Sequence, residues 1–326
     1  MNTSHLYTEL DPDRVIRAVE SVGLVSDGRL LPLNSYENRV YQVGIDGEEP
    51  VVAKFYRPGR WSEAQLLEEH QFIAELAEAE LPVVAPLADA HGRTLHHDGH
   101  FAFTLYPRRG GRQVELDLDT LHVIGRALGQ LHAVGSRQKF RHRLSLGIDN
   151  YGTASCRFVL EHDFIPSELR NAYETLTRDL LQRLQLQWRE HAGLSRIRLH
   201  GDFHRGNILW REGPLLVDFD DCLQGPAVQD LWMLLSGERD QQQAQLSELI
   251  DGYAMFHDFN PAELGLIETL RTLRMMHYSA WLARRWDDPA FPHNFPWFNT
   301  ARYWADHVLQ LREQLAALDE QPLRLF

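Results

Sequence analysis

Asp202, Asn207 and Asp218 are the residues whose types and spacing could do chemistry together. They lie within residues 198–221, where Asn207 follows Asp202 by five positions and Asp218 follows Asn207 by eleven. Residues 208–217 form two short apolar runs around a Glu-Gly turn, which predicts a β-hairpin joining the three side chains. Asn and Asp oxygens suit Mg²⁺, and a carboxylate can accept a proton from a hydroxyl. We therefore predict that Asp202 and Asp218 are catalytic and that Asn207 and Asp218 bind the metal.

The wider pattern around these residues is more specific than their spacing alone. Asp and Asn are common in turns, so a lone D-x-x-x-x-N would more often be turn chemistry than catalysis. Here H-G-D-x-x-x-x-N is followed by an apolar hairpin and D-x-D-D, which resembles the aminoglycoside-phosphotransferase and choline-kinase branch of the protein-kinase-like fold. The resemblance implies an α+β, bilobal fold. Its small N-terminal lobe would hold an antiparallel sheet and one helix, and its larger C-terminal lobe would be mainly helical.

A lysine within an apolar strand is a further candidate. Residues 39–56 predict a β-hairpin whose second strand, V-V-A-K-F-Y, contains Lys54. The lysine could point to solvent from an edge strand, or V-A-K could match the kinase motif whose lysine pairs ATP phosphates and a helix Glu. Residues 62–79 predict a helix, and its Glu68 or Glu69 could reach Lys54. The spacing of the following Leu-Pro step in the resembling branch favours Glu69.

The segment before this hairpin lies where kinases cover the ATP phosphates with a glycine-rich loop. Residues 34–39 contain no glycine, but Ser35 and its Asn neighbours are small and can bond phosphate oxygens. An ordinary polar turn is the alternative. The resemblance implies that Ser35 and adjacent amides cover the β-phosphate, while Lys54 and Glu69 complete the ATP-binding residues.

The rest of the chain divides at a predicted hinge within residues 106–113, which contain proline and paired glycines. We expect an N-terminal lobe of residues 1–107 and a C-terminal lobe of residues 108–326. Further strands are predicted over the 81–87 run and before residue 107, with a turn at residues 96–100. Asp230 opens a predicted buried helix and should bond the backbone of the catalytic loop. Other helices are predicted over residues 11–22, 166–190, 241–257, 261–285 and 301–318, with a helix beginning near residue 117.

Composition excludes several classes of protein. The 326 residues are 44% hydrophobic, enough for a sizeable core, and the net charge of −13 argues against a nucleic-acid partner. Two distant cysteines form no disulfide framework and fit a reducing cytosol. No apolar run is long enough to span a membrane, no signal peptide is evident, and the histidines lack zinc-ligand spacing. We expect a cytoplasmic monomer without membrane or nucleic-acid partners.

Motifs along nearly the whole chain narrow the resemblance. They include K-F-Y-R-P-x-R-W, E-E-H-Q-F, G-P-A-V-Q-D-L-W-M-L-L and R-R-W-D-D-P-A-F-P-x-N-F-P-W, and together they resemble the stress response kinase A family. The resemblance implies a bacterial stress-response Ser/Thr protein kinase that uses Mg²⁺ and ATP and phosphorylates a protein.

The acceptor remains open on the residues alone. Only eleven residues separate Asp218 from Asp230, too few for a long activation segment ending in A-P-E. A small-molecule kinase acting on an amino alcohol or sugar is therefore equally credible. A pseudokinase is a third hypothesis, which the intact set of Lys54, Asp202, Asn207 and Asp218 opposes.

Overall fold

The N-terminal part of the protein is built around one antiparallel sheet. The structure, a computed structural model, describes Tyr7 and residues 9–325. The strands of the sheet are β1 (Ser26–Leu33), β2 (Arg39–Ile45), β3 (Val51–Phe55), β4 (His96–Asp98) and β5 (Phe101–Pro107). They pair in the spatial order β1-β2-β3-β5-β4, and every neighbouring pair is antiparallel. Lys54 lies on β3, the central strand, so the edge-strand alternative is wrong.

Two helices accompany this sheet, and both begin at residues that the sequence indicates. Helix α1 (Pro12–Glu20) is capped by Asp11, whose side chain accepts the Arg14 N–H at 2.7 Å. Helix α2 (Glu63–Glu78) opens with a capping box, in which side chains satisfy otherwise free N–H groups. The apolar face of α2 packs into the same buried cluster as the C-terminal helices. This helix therefore contacts both halves of the molecule.

The prediction of a strand over residues 81–87 is wrong. Pro82 and Pro86 lack the N–H that a sheet ladder requires, and the segment runs as an irregular connection. It is held by separate hydrogen bonds, among them the Leu216 N–H donating to the Pro82 carbonyl at 2.7 Å. The turn predicted at residues 96–100 is shorter than expected, because β4 takes up its first three residues.

The C-terminal part is mainly helical. Its helices are α3 (Leu118–Gly135), α4 (Ala154–Glu161), α5 (Ser167–Glu190), α6 (Gln229–Trp232), α7 (Arg239–Tyr253), α8 (Ile267–Ala283), α9 (Ala290–Asn294) and α10 (Ala301–Ala317). The predictions of α3, α5, α7, α8 and α10 are confirmed, although α8 is preceded by a 3₁₀ helix (Pro261–Leu266). The buried helix at Asp230 is only one turn, and α4 follows a π-helical segment (Ile148–Thr153) that sequence reasoning missed.

Close packing of α3 against α7 requires glycine. A Cβ added at Gly125 would lie 2.0 Å from the Leu249 carbonyl oxygen, and one at Gly129 would lie 2.4 Å from the Tyr253 carbonyl oxygen. Both distances are far inside van der Waals contact, so a side chain at either glycine would force the helices apart.

Short strands frame that loop. They are β6 (Arg112–Gln113), β7 (Ile197–Leu199), β8 (Ile208–Trp210), β9 (Pro214–Leu216) and β10 (Leu223–Gly225). Strands β8 and β9 form the predicted hairpin, and β10 pairs antiparallel with β7. Because β6 pairs with β8, the chain has joined the C-terminal part by residue 112; a lobe boundary at 107/108 stays a prediction. Within the described residues, no helix combines the length and apolar character needed to cross a membrane.

Candidate active site

A cavity of about 820 Å³ lies between the sheet and the helical part. Five of the six predicted site residues line it; Glu69 lies behind Lys54. The cavity has an apolar end formed by Val40, Val52, Val84, Leu209 and Val217. Its other end carries the charged side chains. An apolar slot leading to converging polar groups is the usual form of a small-ligand site.

Gly201 and Asp230 fix the catalytic loop. Gly201 has φ +87°, and a Cβ there would lie 2.2 Å from the Asp221 carbonyl oxygen, so only glycine fits. The Asp230 carboxylate accepts the backbone N–H of His200 at 2.7 Å and that of Gly201 at 2.8 Å. The role predicted for Asp230 is therefore confirmed. Its position is in turn set by His132, whose Nε2 lies 3.2 Å from the carboxylate.

Asp202 follows this fixed turn and faces the cavity. Its Oδ1 lies 2.7 Å from Nη1 of Arg274, and its Oδ2 lies 3.4 Å from Nε2 of His204. Burial alone would raise the pKa of Asp202, but His204 and Arg274 hold that pKa well below its usual range. The carboxylate is thus ionised. Oδ1 is buried, and among the described residues it has no aligned hydrogen-bond donor, although the Arg274 guanidinium lies beside it.

Asn207 and Asp218 are neighbours across a backbone hydrogen bond. The Val217 N–H donates to the Asn207 carbonyl at 3.1 Å, and the amide Nδ2 of Asn207 donates to the Asp202 carbonyl at 2.9 Å. Asp218 has φ 62° and ψ 65°, a left-handed conformation that Asp tolerates better than most residues, and its side chain is 57% exposed. Both residues thus offer side-chain oxygens beside the cavity.

This donor set fits Mg²⁺. Within the described part of the chain, no three His, Cys, Asp or Glu side chains converge as a self-contained metal cluster. Mg²⁺ does not need such a cluster, because it usually binds through one or two protein oxygens together with phosphates and water. Asn207 and Asp218 supply two oxygens of the required kind.

Lys54 lies in a buried group of carboxylates. Its Nζ is 3.1 Å from Oδ1 of Asp220, 3.2 Å from Oδ1 of Asp218 and 3.9 Å from Oε1 of Glu69. Burial alone would lower the pKa of Lys54, but the three carboxylates raise it above its ordinary value. The ammonium group therefore stays charged although its side chain is only 7% exposed. An unpaired ammonium at this depth would be strongly unfavourable.

The two glutamates of α2 have different partners. Oε2 of Glu69 lies 2.5 Å from Nη2 of Arg143, and its other oxygen faces Lys54. Glu68 instead accepts three backbone N–H groups, from residues 141, 142 and 143, at 2.5, 2.8 and 2.8 Å. Adjacent helix residues point about 100° apart, so only one of them can face β3. Of the two candidates, the structure brings Glu69 to Lys54.

Ser35 lies in a covering loop, residues 34–38, that α8 holds in place. Its Oγ accepts the Asn38 N–H at 3.3 Å. The neighbouring Glu37 accepts a hydrogen bond from Trp281 Nε1 at 2.7 Å and pairs with Nε of Arg285 at 2.5 Å. The loop is therefore anchored by a charged side chain directed at the C-terminal part.

Sequence reasoning missed the arginines of this site. Arg60 pairs with Asp220 and Asp221, and Arg143 donates to the Asp220 carbonyl at 2.8 Å as well as to Glu69. The ion pairs with Lys54 and Arg60 hold the pKa of Asp220 below its usual range, against the effect of burial. The only sequence feature that could have pointed to Arg60 was its position next to Trp61. In the structure the Arg60 guanidinium carbon lies 4.8 Å from the centroid of the Trp61 ring. Arg143 gave no signal at all.

Comparison with protein families gives a match over most of the chain. A family model described as the phosphotransferase enzyme family matches residues 29–267. Stress response kinase A of Escherichia coli (strain K12) is 45% identical over 325 residues, which are 99% of this chain and 98% of that protein. Serine/threonine protein kinase RdoA of Salmonella typhimurium (strain LT2) is 44% identical over 320 residues, covering 98% and 97%. The similarity therefore extends over nearly the full length of each protein.

Solved structures share the fold at lower identity. Amicoumacin kinase, in complex with AMP-PNP, Ca²⁺ and Ami, superimposes with a TM-score of 0.73 at 18% identity, covering 98% of each chain. A microcompartment-associated aminopropanol kinase gives a TM-score of 0.73 at 19% identity, covering 97% of this chain and 100% of the other. The predicted α+β kinase-like fold, with its sheet-bearing N-terminal lobe and helical C-terminal lobe, is confirmed.

Proposed function

Because this chain belongs to the stress response kinase A group of the phosphotransferase enzyme family, we propose that it transfers the γ-phosphoryl group of Mg·ATP to a Ser or Thr hydroxyl of a protein in the bacterial stress response. The observation that carries the chemical part is the convergence of Lys54, Asp202, Asn207 and Asp218 on one cavity. The protein acceptor is supported by the name of one relative, a serine/threonine protein kinase. A cytoplasmic location agrees with two free, buried cysteines.

The nucleotide end of the cavity would be organised by this chain as follows. The apolar slot takes the adenine, and the charged Lys54 contacts the α- and β-phosphates. Ser35 and the covering loop lie over the β-phosphate. Asn207 and Asp218 would hold Mg²⁺, which when bound neutralises charge on the phosphate oxygens. By holding the metal, Asp218 would also place its positive charge beside the transferred phosphoryl group, and for this reason we class Asp218 as catalytic.

The acceptor hydroxyl would be oriented by Asp202. Its carboxylate, which His204 and Arg274 keep ionised, takes the hydroxyl proton. The hydroxyl oxygen forms a bond to the γ-phosphorus as the bond between that phosphorus and the bridging oxygen of ADP breaks, and ADP leaves with the bonding electrons. Positioning and charge compensation supply most of the rate in such reactions.

A small hydroxyl compound is the second candidate acceptor. The residues between Asp218 and Asp230 form a 3₁₀ turn (Phe219–Asp221), strand β10 and the start of α6. They leave no long activation segment on which a peptide could dock. The kinases named for amicoumacin and for aminopropanol share this fold.

Phosphoryl transfer in a cell extract tests the proposal. The protein is incubated with γ-labelled ATP and extract, and label is measured separately in protein and in small molecules. We expect label on Ser or Thr of a protein, reduced by at least about a hundredfold in Asp202→Asn, the usual contribution of a positioned base. Label confined to small molecules would establish the second candidate. Equal labelling by the wild type and Asp202→Asn would refute the role of Asp202.

A further inference from the structure

Helix α8 lines the cavity beside Asp202, and its Arg274 faces that carboxylate. Arg274 is 39% exposed, and its Nη1 lies 2.7 Å from Oδ1 of Asp202. This contact is an ion pair, and Arg274 also lines the cavity. The exposed part of the guanidinium is therefore open to another partner in the cavity.

His277, one turn further along α8, lies beside the cavity. Its ring stacks on Tyr151 with the centroids 4.1 Å apart. Burial, together with the positive charges of Arg284, Arg285 and Arg274, lowers the pKa of His277 to about 3. His277 is therefore neutral and adds no charge beside Arg274.

The carboxylates near this end are already paired. Asp202 pairs with Arg274, Asp221 with Arg60, and Glu37 with Arg285. Among the residues that the structure describes, none of these three carboxylates is left without a cation. An acceptor with an ammonium group would therefore have to displace an arginine in order to be neutralised.

Resting on the proposed kinase function, we propose that Arg274 determines acceptor specificity by binding an anionic group that lies beside the reacting hydroxyl. A hydroxyl in hydrogen-bond contact with Asp202 would lie within about 6 Å of the Arg274 guanidinium. An acidic residue next to Ser in a peptide, or the carboxylate of a small hydroxy acid, spans that distance. The planar guanidinium matches a carboxylate through two parallel hydrogen bonds.

Trp281, an aromatic residue of the same region, does not favour a cation instead. Tyr36, Tyr278 and Trp281 line the cavity, and aromatic faces can bind ammonium groups. The Arg285 guanidinium already lies 5.0 Å from the centroid of Trp281. A second cation on that ring would meet like charge, so Trp281 does not select an amino alcohol.

The test compares acceptors that differ only in charge. Three serine peptides, with flanking Asp, Gln or Lys, are assayed beside a small hydroxy acid and an amino alcohol. Wild-type protein should prefer the Asp peptide or the hydroxy acid. Arg274→Gln should lower kcat/KM for anionic acceptors by at least about tenfold, chiefly through KM, because a hydrogen-bonded charge is lost. Arg274→Lys should retain part of the preference, and Arg274→Glu should reverse it.

A matched control lies on the same helix. Arg271 is one turn away and pairs with Glu268 at 3.1 Å instead of lining the cavity, so Arg271→Gln should leave acceptor preference unchanged. An equal loss for all acceptors in Arg274→Gln would overturn the inference while leaving the kinase function intact. Preference for the hydroxy acid over every peptide would support the role of Arg274 and refute a protein acceptor. Calorimetric binding of the peptides alongside an ATP analogue decides the matter even without turnover, since binding the Lys peptide as tightly as the Asp peptide would overturn it.

Discussion

The adjacent glutamates of α2 allow a sharp test of the nucleotide site. Glu69→Gln removes a fully buried negative charge that lies 2.5 Å from Arg143 and 3.9 Å from Lys54. Glu68→Gln removes a neighbouring charge that holds three backbone N–H groups and does not contact the lysine. Both changes are nearly isosteric. The pair therefore separates loss of the lysine partner from loss of a structural contact on the same helix.

The expected magnitudes follow from these contacts. Breaking a buried ion pair costs about 3–5 kcal/mol. Glu69→Gln should fall at the lower limit, about 3 kcal/mol, because Arg143 keeps the Asp220 carbonyl and the face of Trp61. Once Mg²⁺ occupies Asp218, Lys54 would depend on Glu69 and Asp220, so we expect the KM for Mg·ATP to rise about tenfold. Glu68→Gln should cost about 1.5–3 kcal/mol of folding free energy and change KM less than about twofold.

Two measurements distinguish the variants. Urea unfolding with and without a non-hydrolysable ATP analogue gives the stabilisation due to nucleotide, and initial rates at varied Mg·ATP give KM. At a saturating analogue concentration Glu69→Gln should lose about 1.4 kcal/mol of nucleotide-dependent stabilisation, and Glu68→Gln none. The reasoning fails if Glu68→Gln raises KM as much as Glu69→Gln does, or if Glu69→Gln leaves KM and nucleotide-dependent stabilisation unchanged.

Two further predictions concern metal and pH. Asp218→Ala should abolish Mg²⁺-dependent nucleotide binding in calorimetry with little loss of stability, because the Asp218 side chain is exposed. Asp220→Ala should instead destabilise the fold, because it leaves the buried cations Lys54 and Arg60 short of a partner. Equal effects of the two variants on binding and stability would contradict these roles. Burial lowers the pKa of His70 to about 3 in the folded protein, against about 6.5 in the unfolded chain. Between these pH values only the unfolded chain binds a proton at His70, so the free energy of unfolding falls as the pH falls. Between pH 6.5 and pH 4, the free energy of unfolding measured with urea should fall by about 3 kcal/mol less in His70→Gln than in the wild type. The same pH dependence in both proteins would refute the buried, neutral histidine.

The parts of the site that lie close together in sequence could be predicted from it. Asp202, Asn207 and Asp218 fall within seventeen consecutive residues, and the hairpin between them has its own local signal. The Lys54 strand and the α2 capping box are equally local. Even Asp230 was predictable, because a charged residue opening an apolar helix must find a partner when it is buried.

The arginines could not be predicted, because their partners lie far away in the sequence. Arg143 meets Glu69 across seventy-four positions and Arg60 meets Asp220 across one hundred and sixty, so no local pattern links the partners. Arg143 lies in an irregular connection without periodicity, and Arg274 lies on a helix where an arginine is normally solvated. The strand over residues 81–87 was predicted wrongly for a local reason, because the apolar composition of the segment was given more weight than its two prolines.

The anchoring of the covering loop accounts for its lack of glycine. A glycine-rich loop approaches phosphates through free backbone amides, at a cost in conformational entropy when it becomes ordered. Here the Asn38 N–H is already bonded to Ser35, while Glu37 fastens the loop to Trp281 and Arg285 of the C-terminal part. These contacts fix the path of the loop without glycine. Under the proposed kinase function, phosphate contact would then rely on the Ser35 hydroxyl and the remaining amides, so a single side chain would matter more here than in a glycine-rich loop.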